Sequence, residues 1–530
     1  MNQRSLIDVT AETTIVQGED YIGAARMNIS VNIGTNEYIV DTCTFTNCLN
    51  GAIDIKLSNG GKASVINTQF TGCQSSLNGG AINATIQSGG ILTIIAQCRF
   101  TDCTAQGFGG GINALIQENN SKFIIGDGLI FDTCSCSYYD GGGLYANIRT
   151  GSQLILEGDC KFKDCSSVNG SGGGLNAWCS NEGGLIRSLG ELSFDNCSSS
   201  SIGGGAYFRT SNNDNVTIEL NKLICIDCKG SQGAGLSIQS GSNTYFAITG
   251  QASFTRCEST GNGGGITFNI NGENVEIRIT GSMDFTDCAG QFGGGLFIFT
   301  SSQIILIISS SCTFLNCTSS YGGGMYLSSS KMDTDIQITG QLSFDNCCSS
   351  IHGGGLFLSI TNSSISFENL IQFKDCSSQS NGGGIFFNIF GDNGEIQLTG
   401  EMQFTNCIGG NSGGGMYIDC LGYDSNIQIT GQLSFDNCSC QDLGGGLYLY
   451  SQNSSISFEN LIQFNNCKAQ TGGGIYSNVN GGGQINIKNQ STFTECKSIS
   501  GNGGGIYLYI NNGTLNIENT TFDRCTCNQP

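Results

Sequence analysis

The sequence predicts an all-β protein: a single right-handed parallel β-helix, a solenoid of about 17 coils with three short strands in each. Three observations predict it. A motif F-x-x-C recurs about every 30 residues. A Gly triplet follows most copies five to seven residues later. Between these landmarks apolar and polar residues alternate with a period of two, the signature of half-buried strands. No 3.6-residue apolar stripe persists, so helices are not expected.

The motif runs from Phe45/Cys48 to Phe522/Cys525 in 17 copies, one of which, Cys225/Cys228, has Cys in the Phe place. After a triplet come runs such as Leu356-Phe357-Leu358-Ser359-Ile360, and elsewhere in the period runs such as Ile336-Gln337-Ile338-Thr339. Gly, Asn and Ser turns join them. A propeller blade needs about 40–50 residues and four antiparallel strands. Thirty residues fit one coil of a parallel β-helix better. Coils stacked at about 4.8 Å lay identical positions over one another, in ladders of Phe, Cys and Gly, and 17 of them reach roughly 80 Å. Right-handed winding follows from the handedness of parallel crossovers.

Each corner has its own logic. The triplet marks a turn that needs positive φ and close approach of neighbouring backbones. Asn or Asp precedes many ladder cysteines (Asn47, Asp102, Asp164, Asn346, Asp375, Asn437), and Asx side chains suit turns because they bond their own backbone. Phe and Cys three apart cannot both face inward on a flat strand, so a bend or bulge is predicted between them. The block Ile336 to Cys376 recurs almost unchanged at Ile427 to Cys467, 91 residues on, which points to growth by copying coils.

Composition agrees and excludes several classes. The chain has 530 residues, with 81 Gly, 28 Cys, one Pro and a net charge of −21. Glycine in this excess without proline is not collagen. Proline is scarce because it cannot donate to a shared ladder, and charge is low because like charges stacked on one column repel. No 18-residue apolar run exists, so no membrane span is expected. The acid excess argues against nucleic acid and anionic membrane as partners. A continuous core makes one repeat domain, 36–530, preceded by a degenerate coil at 1–35 with Gly23-Ala24-Ala25 in the triplet place. Met1 to Thr10 lacks the apolar region of a signal peptide, and the chain stops directly after the last motif. A repeat that continues or is truncated at the C-terminus is therefore expected.

The order F-x-[ND]-C, then G-G-G-[ILM]-[YF], resembles the repeat of the chlamydial polymorphic outer membrane proteins, which carry F-x-x-N and G-G-A-[ILV] in the same order. It is also similar to repeats in protist surface proteins. The resemblance covers about 43–530 and implies a right-handed parallel β-helix serving as a cell-surface passenger or adhesin. Here Cys stands where that family has Asn, and no C-terminal membrane barrel is seen, which favours a protist-type relative.

Parallel β-helices include polysaccharide lyases and hydrolases. Such enzymes need converging carboxylates, or a basic residue with a calcium site, at one unique place. The single His, His352, stands beside a triplet and reads as a turn residue. Arg187, Arg209, Arg256, Arg278 and Lys374 are scattered. No catalytic residue, metal ligand or cofactor site is assigned. C-x-x-C zinc spacing occurs once, at Cys225/Cys228, with no second pair. Seventeen cysteines lie on the ladder and eleven off it. Ladder cysteines read either as small buried thiols or as vertical bridges between neighbouring coils. Sequons such as Asn215, Asn362, Asn453, Asn489 and Asn512 matter only in a secreted chain.

The most informative column is aromatic. In the strand after each triplet the second residue should point outward. In eight consecutive coils it is Phe297, Tyr326, Phe357, Phe386, Tyr417, Tyr448, Tyr476 and Tyr507. Earlier coils carry Asn83, Asn113, Asn176, Ser237 and Thr267, with Tyr145 and Tyr207 between. Stacking alone would account for such a column. As a surface stripe it would bind a glycan or a host or cell-surface protein. The sequence thus points to a non-enzymatic, extracellular or cell-surface rod for display or adhesion. The alternatives are a carbohydrate-active β-helix enzyme and an intracellular structural rod.

Overall fold

The computed structural model describes residues 12–181, 183–211, 215–331 and 334–528. Met1 to Thr10, and with them the start of the expected N-terminal coil, lie outside the described residues. Among the described residues every regular element is a β-strand. Stacked parallel strands build a β-solenoid of about 16 turns, a parallel β-helix. Seventeen motif copies enclose 16 periods, which reconciles the two counts. The chain divides into two compact units, one of residues 1–224 with 228–230, the other of 225–227 with 231–530.

A turn of the second unit shows the cross-section. Its strands are Leu356–Ile360, Ser364–Phe367 and Ile371–Lys374, followed by a fourth of two residues, Ser377–Ser378. Each pairs in parallel with its counterpart one turn on: Leu356 with Ile385, Ser364 with Glu395, Ile371 with Met402 and Ser377 with Ile408. The first unit repeats this with Leu144–Ile148, Gln153–Leu156, Cys160–Lys163 and Ser166–Ser167. Apolar members of each alternation fill the interior: Ile365, Phe367, Ile371 and Phe373 are all at most 2% exposed.

The Phe ladder runs through both cores. In the second unit rings from Phe254 to Phe522 stack at 4.7–5.1 Å, nearly parallel. In the first, Tyr21 continues the stack onto Phe45 at 4.7 Å, so the segment before residue 36 shares the column. The expected bend between Phe and Cys exists, and its cause is a left-handed residue. Asn346, Asp375 and Asn437 have φ of 52°, 52° and 54°. That conformation costs L-residues about 1–2 kcal/mol, least for Asn and Asp, and it swings the following Cys into the core.

The Asx residues also form a ladder. Nδ2 of Asn406 donates to Oδ1 of Asp375 (2.8 Å), Asn437 to Asn406 (2.9 Å) and Asn466 to Asn437 (3.0 Å). A second run goes from Asn346 to Asn316 to Asp287, each bond 2.9 Å. The cysteines are thiols with no disulfide among the described residues, and most are buried. Ladder S–H groups donate to the Phe carbonyl one turn back, as Cys376 does to Phe344 (3.5 Å) and Cys407 to Phe373 (3.6 Å). Off the ladder, Cys312 takes an aliphatic core place, standing between Met283 and Leu342 on one column. Burial pushes its thiol up to about 12.

The three glycines of a triplet answer to three different constraints. Gly353 has φ +65°. A Cβ on Gly354 would lie 2.0 Å from the Gly383 carbonyl oxygen of the next turn. A Cβ on Gly355 would lie 2.6 Å from Cδ1 of Phe373. The triplet is therefore a turn, a backbone contact and the floor under the Phe ladder.

Candidate functional site

The aromatic column is assembled by register. Phe297 pairs with Tyr326, and the pairing continues through Phe357, Phe386, Tyr417, Tyr448 and Tyr476 to Tyr507. All eight rings stack, at 4.4 Å between Tyr417 and Tyr448 and at most 5.3 Å elsewhere. The structure thus brings together every member of the expected stripe.

Exposure differs from the expectation of an open stripe. Phe297, Phe357, Phe386 and Tyr448 are only 6–8% exposed. Tyr326, Tyr417, Tyr476 and Tyr507 are half-buried. The rings do leave the core face, but the corner before the triplet folds back over them. Phe292 meets Tyr326 edge-on at 5.3 Å, Tyr321 meets Phe357 at 5.4 Å, and His352 stacks on Phe386 at 4.5 Å. In two turns without an aromatic the same corner is met by a hydrogen bond. Thr267 Oγ1 donates to the Asn262 carbonyl (3.0 Å), and Asn176 Nδ2 to that of Ser171 (3.4 Å). Asn113 Nδ2 instead donates along the column, to Asn83 Oδ1 (2.8 Å). The second position is therefore a lateral pocket beneath a corner, filled by a ring or a polar side chain. The i to i−5 spacing of Phe292/Phe297 and Tyr321/Tyr326 was the sequence signal of this cover.

The surface itself lies two residues further along each strand. That column reads Phe299, Ser328, Ser359, Asn388, Asp419, Tyr450, Asn478 and Tyr509, and sequence reasoning passed over it. Tyr509 is 48% exposed. Tyr450 Oη donates to Gln452 Oε1 (2.9 Å). Burial pushes the Asp419 carboxyl up to about 6. Tyr448 is pushed up to about 12, by burial first and then by Tyr476. Tyr417 is raised too, by burial and then by Tyr448 and Asp419. Burial lowers His352, whose Nδ1 lacks a hydrogen-bond partner.

Asp419 is the one carboxylate among the eight residues of the outward column, and His352 is taken up in ring stacking. Among the described residues no group of three or more His, Cys, Asp or Glu is placed to hold a metal ion. No helix among them is long and apolar enough to cross a membrane. Comparison with protein-family models and with curated proteins finds no match.

Proposed function

We propose that this chain is a non-enzymatic surface scaffold, cell-surface or secreted, that works by display or adhesion. The observation that carries the reading is the double column on the post-triplet strands. Eight stacked rings form a continuous layer, and two residues further along each strand an outward column repeats at the same spacing. A rigid array of this kind suits contact with an extended partner, a glycan or a surface protein, because little side-chain freedom is lost on binding. The cell-surface assignment is supported by the motif resemblance.

The test is binding of purified protein to cells. Tyr450→Ser/Tyr509→Ser changes the outward column without touching the stacked rings. Tyr417→Ser/Tyr448→Ser/Tyr476→Ser changes the layer beneath. Loss of cell binding in the first variant, with unchanged circular dichroism, is expected. Full binding by both folded variants, or release of reducing ends from polysaccharide by the wild-type chain, overturns the reading.

A further inference from the structure

The second unit varies in the loop that follows its post-triplet strand. After the strands Ile385–Ile389 and Met416–Cys420 come five-residue loops, 390–394 and 421–425. After the next two strands, Leu447–Gln452 and Ile475–Asn480, the loops shrink to 453–454 and 481–483. The long loops brace each other: Tyr423 N donates to Asp392 Oδ1 (3.2 Å) and Asn393 N to the Tyr423 carbonyl (3.0 Å). The short ones leave a step. Beneath it lies a cleft of about 310 Å³.

Its lining is polar and carries no cation. Asp424, Asn426, Asn453 and Gln484 line it, and their side chains hydrogen-bond no described residue. The serines behind them are already engaged, Ser425 Oγ with the Gly391 carbonyl and Ser454 Oγ with that of Cys420. Gly482 keeps the floor open, since a Cβ there would meet only Asn453 Oδ1, at 3.7 Å. On the long loops Tyr423, next to Asp424 in sequence, is 63% exposed and Phe390 is 61% exposed. Three amides and a carboxylate offer paired donors and acceptors at fixed positions. A carboxylate in a lining without Lys or Arg disfavours phosphate, sulfate or uronate. So polar a wall disfavours lipid. The volume is at the small end for ligand clefts, about 300 Å³ and upward, which leaves room for one or two sugar rings.

We infer that this cleft binds an uncharged saccharide, with the amides and Asp424 engaging its hydroxyls. The inference rests on the adhesion reading, for which it names a ligand class. Saturation-transfer NMR on the full chain tests it, with lactose, maltose, cellobiose, N,N′-diacetylchitobiose and methyl α-mannoside as neutral probes and heparin as the anionic one. At least one neutral sugar is expected to bind, and heparin is not expected to compete. Gln484→Ala and Asn453→Gly should each weaken binding about tenfold, the size of one lost hydrogen bond of about 1.4 kcal/mol. Glycine is chosen at 453 because that residue has φ +55°. No transfer from any neutral probe, or equal binding by the folded variants, overturns the inference. Cell binding that survives both variants leaves the adhesion reading standing without this cleft. Sugar binding without cell binding does the reverse.

Discussion

The sharpest consequence of the triplet geometry concerns two adjacent glycines that should fail in different ways. Gly355→Ala places a methyl 2.6 Å from Cδ1 and 2.8 Å from Cε1 of Phe373, a side chain. Gly354→Ala places one 2.0 Å from the Gly383 carbonyl oxygen and 2.6 Å from that of Ser377, both backbone. Overpacking a tight core costs about 1–3 kcal/mol, and both substitutions should reach at least that. Phe373 is 1% exposed and stacks at 4.9 Å on Phe344 and on Phe404. Phe373→Leu keeps most of its bulk and should cost about 1–2 kcal/mol. It also vacates the ring edge that the methyl of Gly355→Ala would strike. The Gly355→Ala/Phe373→Leu pair should therefore couple favourably by about 1 kcal/mol or more, whereas Gly354→Ala/Phe373→Leu should be additive. Urea titration followed by circular dichroism measures both cycles, read as midpoint shifts at constant slope. Equal coupling in the two cycles would refute the assignment of separate steric roles to the second and third glycine.

Asp419 gives a pH signature. Its folded-state pKa, raised by burial to about 6, lies above its ordinary value, so stability is fully present below about pH 4 and is lost as pH rises through 6. A rise of that size corresponds to about 3 kcal/mol, or about 1–2 kcal/mol after screening at a partly exposed site. Asp419→Asn should raise the unfolding midpoint at pH 8 and leave it unchanged at pH 4. In the Asx ladder, Asn437→Ala loses two amide bonds and strains a residue at φ 54°, for about 1–2 kcal/mol. Asn437→Gly should recover about half of that in the same urea titration. Finally, maleimide labelling of the native protein should reach Cys527, which is exposed, quickly and the half-buried Cys348 and Cys525 more slowly. Mass spectrometry should find ladder thiols such as Cys407 and Cys467, which burial raises well above an ordinary thiol, unlabelled until the fold is opened.

The fold was legible because every turn repeats the same argument. A Phe that must stack, an Asx that must turn left and a Gly that must yield to its neighbour recur often enough to fix register without long-range information. The aromatic column was legible as a column for the same reason. Its burial was not, because alternation says which face a side chain leaves by and nothing about what lies over it. The cover comes from the corner before the triplet, such as Tyr321 over Phe357. The cleft lined by Asp424 and Gln484 was hidden for the opposite reason. It arises where loops differ in length by two or three residues, a departure from period that motif counting averages away.

The Asx ladder, finally, imposes a grammar on the gene. An amide donates a hydrogen bond to the preceding turn and accepts one from the next, whereas a carboxylate can only accept. An acid can therefore open a run and never continue one, as Asp287 and Asp375 do. The copied block obeys this: where the earlier copy has Asp375, the later has Asn466, whose amide donates to Asn437. Deamidation of an asparagine within a run would thus act as a misplaced full stop. Ageing of the protein should leave its mark along this one edge, at the junctions where turns were joined.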